Sequence, residues 1–316
     1  MIGIIIGILI LAALAVFFGW LTFKAWKARR AWVKWLGVVL AGLFTLVFAL
    51  LTFVSMFGTY KLFRSYTVSI PEVSVAGDPE QIKRGEHLAE VLCAGCHSPN
   101  DNLPLFGGDN MSEDTGLPLG DIYAPNLTPA TDIKDWSDAD LFRAIRTGVD
   151  DEGRATTMAA VLGTHFLSDE DTLALIAYLR QSPAVEYETP PYKPTILLSL
   201  FAGAGLIPLD VPPAVSKISA PVKAATPEYG KYVLEYMDCK SCHGENLDGV
   251  VPPPLPSAPD IRRYMSHWSK NDFINVIKAK ASSAAAEDVM PWKDIARLDN
   301  VELEALYLYL HQVTSQ

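Results

Sequence analysis

The chain has 316 residues, half of them hydrophobic and a fifth charged, which is enough for two domains of about 100–130 residues and a further segment. Residues 1–64 hold seven basic side chains and no acidic one, so all 36 acidic residues fall in 65–316 beside 19 basic ones, a net −17. A field of that sign disfavours nucleic acid as a partner and steers a basic partner in, with salt-sensitive on-rates.

The first elements are two uncharged runs, residues 2–23 and 35–60. At a rise of about 1.5 Å per residue, each can cross a hydrocarbon core of about 30 Å. Between them lie Lys24, Lys27, Arg29, Arg30 and Lys34, interleaved with Trp26 and Trp32. Five positive charges in a short loop place it on the cytoplasmic side, and tryptophans suit the headgroup layer. Lys61 and Arg64 are outnumbered, so the hairpin delivers everything after Tyr60 to the extracytoplasmic face. A cleaved signal peptide is the competing reading of the first run, but it lacks a basic leader and its apolar stretch is long.

Residues 84–92 read as a short amphipathic helix leading into Cys93-Ala94-Gly95-Cys96-His97. Ala124-Pro125-Asn126-Leu127 follows, then Trp136-Ser137 with Asp140 three residues after the serine, a helix start. Met158 comes next, and Ser168 caps a last helix that carries Asp169, Glu170 and Asp171 in its first turn. Residues 183–227 are proline-rich and contain the apolar stretch 196–209, broken by Gly203, Gly205 and Pro208. It is too short and broken to span a membrane, and is expected to pack between the flanking domains rather than lie on the lipid surface.

The same order then repeats. A helix over residues 229–238 runs into Cys239-Lys240-Ser241-Cys242-His243, followed by Ala258-Pro259-Asp260-Ile261, Trp268-Ser269 with Asp272, and Met290-Pro291-Trp292. Ala174-Leu175-Ile176-Ala177-Tyr178-Leu179 matches Ala305-Leu306-Tyr307-Leu308-Tyr309-Leu310. Leu303, Leu306, Tyr307 and Leu310 form one stripe at helical spacing. Such a stripe alone is ordinary core; its recurrence at a fixed offset from a methionine marks a duplicated domain. The expected division is a hairpin at 1–64, a first domain at 65–183, a proline-rich linker at 184–225 and a second domain at 226–316.

Each C-x-x-C-H is the c-type haem attachment pattern, and the two copies use all four cysteines of the chain. The thiols Cys93 and Cys96, and Cys239 and Cys242, would add across the vinyl groups of two covalently bound haems. His97 and His243 would ligate the irons. A single four-thiolate zinc site would use the same cysteines but leave both adjacent histidines unexplained. Disulfides are the other competing use of these thiols.

The order of elements resembles the class I cytochrome c fold: helix, C-x-x-C-H, proline loop, short helices, methionine, C-terminal helix. The fold class expected is therefore all-α, a two-helix hairpin followed by two class I cytochrome c-like domains. Residues 80–215 also resemble the cytochrome c subunits of membrane-bound alcohol and aldehyde dehydrogenases. The resembling residues include Gly120-Asp121-Ile122-Tyr123-Ala124-Pro125-Asn126-Leu127-Thr128-Pro129 and Leu167-Ser168-Asp169-Glu170-Asp171. Those subunits typically carry three haem domains and one anchor, whereas this chain has two attachment motifs and a two-helix anchor. Resemblance to bacterial c-type cytochromes also implies haem attachment outside the cytoplasm, in agreement with the charge of the loop. It further implies that the carbonyls of Pro125 and Pro259 accept the histidine ring N–H groups.

For the sixth iron ligands the repeat points to Met158 and Met290. Competing residues are Met111, Met265, His87, His165 and His267, and any lone methionine can equally be core filler. Thioether with imidazole raises the reduction potential, whereas two histidines lower it. With both axial positions filled, the chemistry expected is outer-sphere electron transfer rather than catalysis.

The function expected is a membrane-tethered dihaem electron relay in the inner membrane of a bacterium, two-pass, with its haem domains in the periplasm. It would be a subunit of a respiratory or photosynthetic complex. Its partner would be an oxidase, a quinol-oxidising complex or a dehydrogenase, together with a basic soluble cytochrome c or cupredoxin. A two-helix anchor with two haems is also reminiscent, in architecture alone, of the cytochrome subunit of cbb3-type oxidases. Alternative readings are the cytochrome subunit of a periplasmic dehydrogenase, and a dihaem peroxidase-like enzyme with His165 as its acid–base group.

Overall fold

The computed structural model describes residues 1–156, 163–207, 209, 211–249, 258–283 and 290–314. Two long helices, α1 (Ile2–Trp26) and α2 (Ala31–Phe63), form an antiparallel hairpin. Both are apolar, their residues mostly exposed or half-buried on the protein itself, with only Ile4, Ser55, Gly58 and Leu62 buried. Trp26 and Trp35 meet edge to face near the basic turn, and Lys24 and Lys34 lie over the rings of Trp20 and Trp26. Tyr60 and Arg64 make the corresponding belt at the opposite end.

Each half of the remaining chain builds one helical domain. In the first, α3 (Pro79–Leu92) crosses α5 (Asp169–Gln181), with α4 (Asp138–Thr147) alongside. In the second, α7 (Pro227–Tyr236) crosses α9 (Asn300–Thr314), with α8 (Lys270–Ser283) alongside. The crossings need glycine. A Cβ on Gly85 would overlap the Ala174 carbonyl, and one on Gly230 would overlap that of Ala305. Helix starts are set locally: Asp78 and Thr226 cap α3 and α7, each with proline in the first turn. Ser137 and Asp140 form a reciprocal capping box, and Ser269 and Asp272 form the same one at α8. Such caps contribute about 1 kcal/mol each.

One apolar core runs through both domains, from Leu88, Val91 and Phe142 to Leu234, Ile277 and Leu306. The domains therefore share an interior instead of hanging as separate beads.

The proline-rich segment packs differently from expectation. Its start lies on the first domain, where the Asn126 side-chain amide donates to the carbonyls of Val185 and Tyr187. A two-residue strand, Lys193–Pro194, then pairs with Gly120–Asp121. Next comes α6 (Ile196–Gly203), which lies against α1 and α2, not between the domains. Small residues make this fit. Ser199, Ala202 and Gly203 present a thin face, and Gly58 of α2 has no side chain to hold it off. Contact with two long apolar helices removes its apolar side chains from water, which is the favourable term for this placement.

Candidate haem sites

In both halves the C-x-x-C-H motif forms one short helical turn at the end of the leading helix. In the first, the Nδ1–H of His97 donates to the Pro125 carbonyl at 2.8 Å; in the second, that of His243 donates to the Pro259 carbonyl at 2.8 Å. Supporting backbone bonds repeat as well. Gly107 N donates to His97 O and Gly249 N to His243 O; Leu127 N donates to Leu105 O and Ile261 N to Leu247 O. The proline loop is thereby clamped onto the motif in each domain.

This arrangement selects the tautomer. With Nδ1 carrying the proton, Nε2 holds a bare lone pair. Among the described residues the buried Nε2 of His243 has no hydrogen-bond partner. A buried ring nitrogen left without a partner requires an explanation, and an iron ligand is one. Burial also holds the His97 imidazole below its ordinary pKa despite the Pro125 carbonyl, so it stays neutral, the form that ligates metal. Burial pushes the Cys93 and Cys239 thiols up to about 12. The residues present fit a covalently attached haem in both halves.

The competing ligand residues separate by environment. His87 Nε2 donates to Glu302 at 2.6 Å, and His267 is exposed. Met111 packs in a small apolar cluster with Leu62, Leu119 and Ile122 at the hairpin end. His165 donates Nδ1–H to the Arg146 carbonyl at 2.7 Å. Met265 is buried in the main core, and Met290 lies half-buried at its edge, directly before the short helix Trp292–Ala296. Met158 lies outside the described residues.

The two sites are interleaved, which no local sequence pattern reveals. Segments that follow the methionine positions pack against the opposite half. Asp294 lies beside Gly95 of the first motif, where an added Cβ would stand 3.2 Å from its carboxylate. Lys293 bonds Asp101 at 2.8 Å, and Arg297 bonds both Asp294 and the Asp101 carbonyl. In the other direction, Gly163 packs so closely on Tyr236 and Asp238, just before Cys239, that no Cβ could fit.

A buried polar network also joins the two halves through matching positions of the repeat. His87 reaches Glu302, and Tyr232, its repeat counterpart, reaches Asp171 at 2.8 Å. Arg84 spans both acids, forming a fork on Asp171 at 2.8 Å and bonding Glu302 at 2.7 Å. Lys223 adds a bond to Glu302 at 3.1 Å. Burial alone would raise the Glu302 pKa, but His87, Arg84 and Lys223 outweigh it and hold the carboxyl well below its usual range. In the sequence Asp171 reads only as a first-turn acid. The signal for its second role is nonetheless present, since Glu302 holds the same place three residues before the matching alanine.

A duplicated helical domain, each copy with a C-x-x-C-H turn and a proline carbonyl orienting its histidine, defines a dihaem c-type electron carrier. Residues 82–183 and 227–314 match the cytochrome c family, to which the chain belongs. Over 108 residues it is 35% identical to a fructose dehydrogenase cytochrome subunit of Gluconobacter japonicus, covering 32% of this chain and 22% of that protein. Over 123 residues it is 37% identical to a dihaem c-type cytochrome of Cereibacter sphaeroides, covering 37% and 40%. Over 268 residues it is 26% identical to a nicotinate dehydrogenase subunit of Pseudomonas putida, covering 74% and 21%. The chain thus spans less than half of the length of each of these relatives.

Proposed function

We propose that the chain is a membrane-tethered relay that passes single electrons between two haems on the extracytoplasmic face, as a subunit of a larger redox complex. The haems would supply a one-electron iron couple. The observation that carries the reading is the repeated His–Pro carbonyl bond, which orients His97 and His243 identically and raises the basicity of each ring. Cys93, Cys96, Cys239 and Cys242 would hold the groups covalently. Met290, and Met158 by its matching place, would complete the axial ligation and favour the reduced state.

The interlock of Asp294 with the first motif and Gly163 with the second supports transfer within the chain. It binds the two attachment turns into one rigid interior, so little protein rearrangement accompanies a change of charge. Axial positions filled by side chains would leave no exchangeable place for dioxygen or peroxide. His165 donates its Nδ1–H to the Arg146 carbonyl, so an acid–base role in the peroxidase reading would fall to its other ring nitrogen, Nε2.

The helices α1 and α2, with five basic residues in and beside their turn, would anchor the relay with the turn in the cytoplasm. Two relatives are named as dehydrogenase subunits, which favours a dehydrogenase as the parent complex over an oxidase or a quinol-oxidising complex. The net −17 of residues 65–316 would suit a basic cytochrome c or cupredoxin as the soluble partner. Purification from gently solubilised native membranes tests the complex, and carbon monoxide or cyanide tests the iron. A dehydrogenase that co-purifies, with haems that ignore both ligands, is the expected outcome. Ready binding of either ligand at one haem would overturn the relay in favour of an enzyme.

A further inference from the structure

We propose that α6 is a third membrane element, a short re-entrant helix whose outer face is covered by the hydrocarbon of the extracytoplasmic leaflet. The inference rests on the anchor reading of α1 and α2.

Depth comes first. Gly203 packs against the Val54 carbonyl so tightly that a Cβ on it would overlap that oxygen, and a Cβ on Gly58 would overlap the Ser199 carbonyl. Val54 lies six residues before Tyr60 in α2, about 9 Å inward from the aromatic belt at that end. Ile196 meets Gly7 of α1, a residue well inside the uncharged run. Both ends of α6 therefore touch parts of the hairpin that lie in hydrocarbon if the hairpin crosses a bilayer.

Composition agrees with that depth. Residues 196–207 carry no charged side chain, and Leu206, next to the deep end, is 48% exposed on the protein. In water such a side chain would lose the hydrophobic contribution that lipid would provide.

The backbone meets the stricter requirement. Non-helical backbone at membrane depth is tolerated where its polar groups are bonded within the protein. The turn that ends α6 satisfies its own donors: Ala204 N donates to Leu200 O, Gly205 N to Ala202 O, and Leu206 N to Phe201 O. At the other end Thr195 bonds the first domain through its N–H to Leu119 O and its hydroxyl to Pro118 O.

The consequence is a rigid foot for the first haem domain. Leu198, Ala202 and Leu209 pack with Leu62 of α2 and with Leu119 and Ile122 of that domain. Three residues beyond Ile122 is Pro125, whose carbonyl orients His97. The first haem site is thus set in a fixed attitude on the membrane instead of swinging on a tether, and docking partners meet it in one orientation.

Single-cysteine labelling of the purified full-length holoprotein in lipid nanodiscs tests this, because haem attachment occupies the native thiols. The probe is a charged, membrane-impermeant maleimide applied to L206C, with V222C as the water-exposed control (87% exposed) and L46C as the hairpin control (70% exposed). V222C should label readily. L206C and L46C should both lose labelling although their side chains are exposed on the protein, and both should gain it when the lipid is dissolved. If L206C labels like V222C while L46C stays protected, α6 lies outside the lipid and the inference fails, with the anchor intact. If L46C labels as well, the anchor reading itself fails.

Discussion

Glu302 accepts the Nε2–H of His87 at 2.6 Å across the boundary between the two haem domains, with its own side chain wholly removed from solvent. The same relationship holds in reverse between Tyr232 and Asp171, so the two domains hold one another by matched positions of a duplicated sequence. Buried carboxylates of this kind are stable only while fully bonded. Arg84, Lys223, the Tyr229 hydroxyl and the Asp299 backbone N–H also donate to Glu302.

Replacing this acid by its amide should therefore loosen the domain pair. Glu302→Gln removes one of the charges that Arg84 and Lys223 face, while Arg84 keeps its fork on Asp171 and Lys223 its bond to Asp299, so a loss of about 1–3 kcal/mol is expected. Denaturant unfolding of the oxidised holoprotein measures it, and a change under about 0.5 kcal/mol would reject the network as a stabilising element.

The same pair has a definite pH signature. Because the folded Glu302 pKa is depressed, its contribution is complete above the unfolded value of about 4.3 and fades as pH falls through the folded one. Wild type and Glu302→Gln should thus differ by a constant amount at neutral pH, and their curves should converge in acid below about pH 4. Curves that stay parallel into acid would contradict the depressed carboxyl.

A further prediction concerns the glycines at the helix crossings. Gly85→Ala and Gly230→Ala each drive a methyl into a carbonyl of the facing helix, Ala174 or Ala305. Overpacking of a tight contact costs on the order of 1–3 kcal/mol, and backbone is a hard neighbour, so the upper end is expected. The substitution at Gly85 should lower retention of the first haem more than the second, and that at Gly230 the reverse. Mass of the attached groups and midpoints of unfolding read both effects.

Much of this is legible in the chain itself. The capping residues Ser137 with Asp140 and Ser269 with Asp272 announce two helix starts, and both boxes form. Helix periodicity and the two attachment motifs are equally readable, because each depends on residues near one another in sequence. What stays hidden depends on docking. Neither His87 nor Glu302 signals its partner until α3 and α9 are brought together, more than two hundred residues apart. The length of the apolar stretch at 196–209 excludes a full span, yet length says nothing about what the stretch packs on. Its partner is set by where Gly58, Ser199 and Gly203 coincide in space, and no local pattern encodes that.

Attachment itself can be counted. Replacing Cys239 and Cys242 together by serine should leave one covalent haem by mass, because Cys93 and Cys96 lie in a separate turn with its own proline loop. Two haems remaining on the variant would mean that the second motif does not hold one.

The identity of the sixth ligand gives the sharpest spectroscopic test. Met290 sits at the edge of the core, directly before Trp292–Ala296, the helix that carries Asp294 to the first attachment turn. Met290→His would exchange a thioether, which favours reduced iron, for a second imidazole, which favours the oxidised form. One of the two midpoint potentials should fall, and the weak absorption from sulfur to ferric iron should vanish for that haem alone. Met265→Leu provides the comparison, since that methionine is buried in the core among apolar neighbours and leucine keeps most of its volume. If Met265→Leu abolishes the band while Met290→His leaves it unchanged, the ligand is Met265 and the Met290 assignment is wrong.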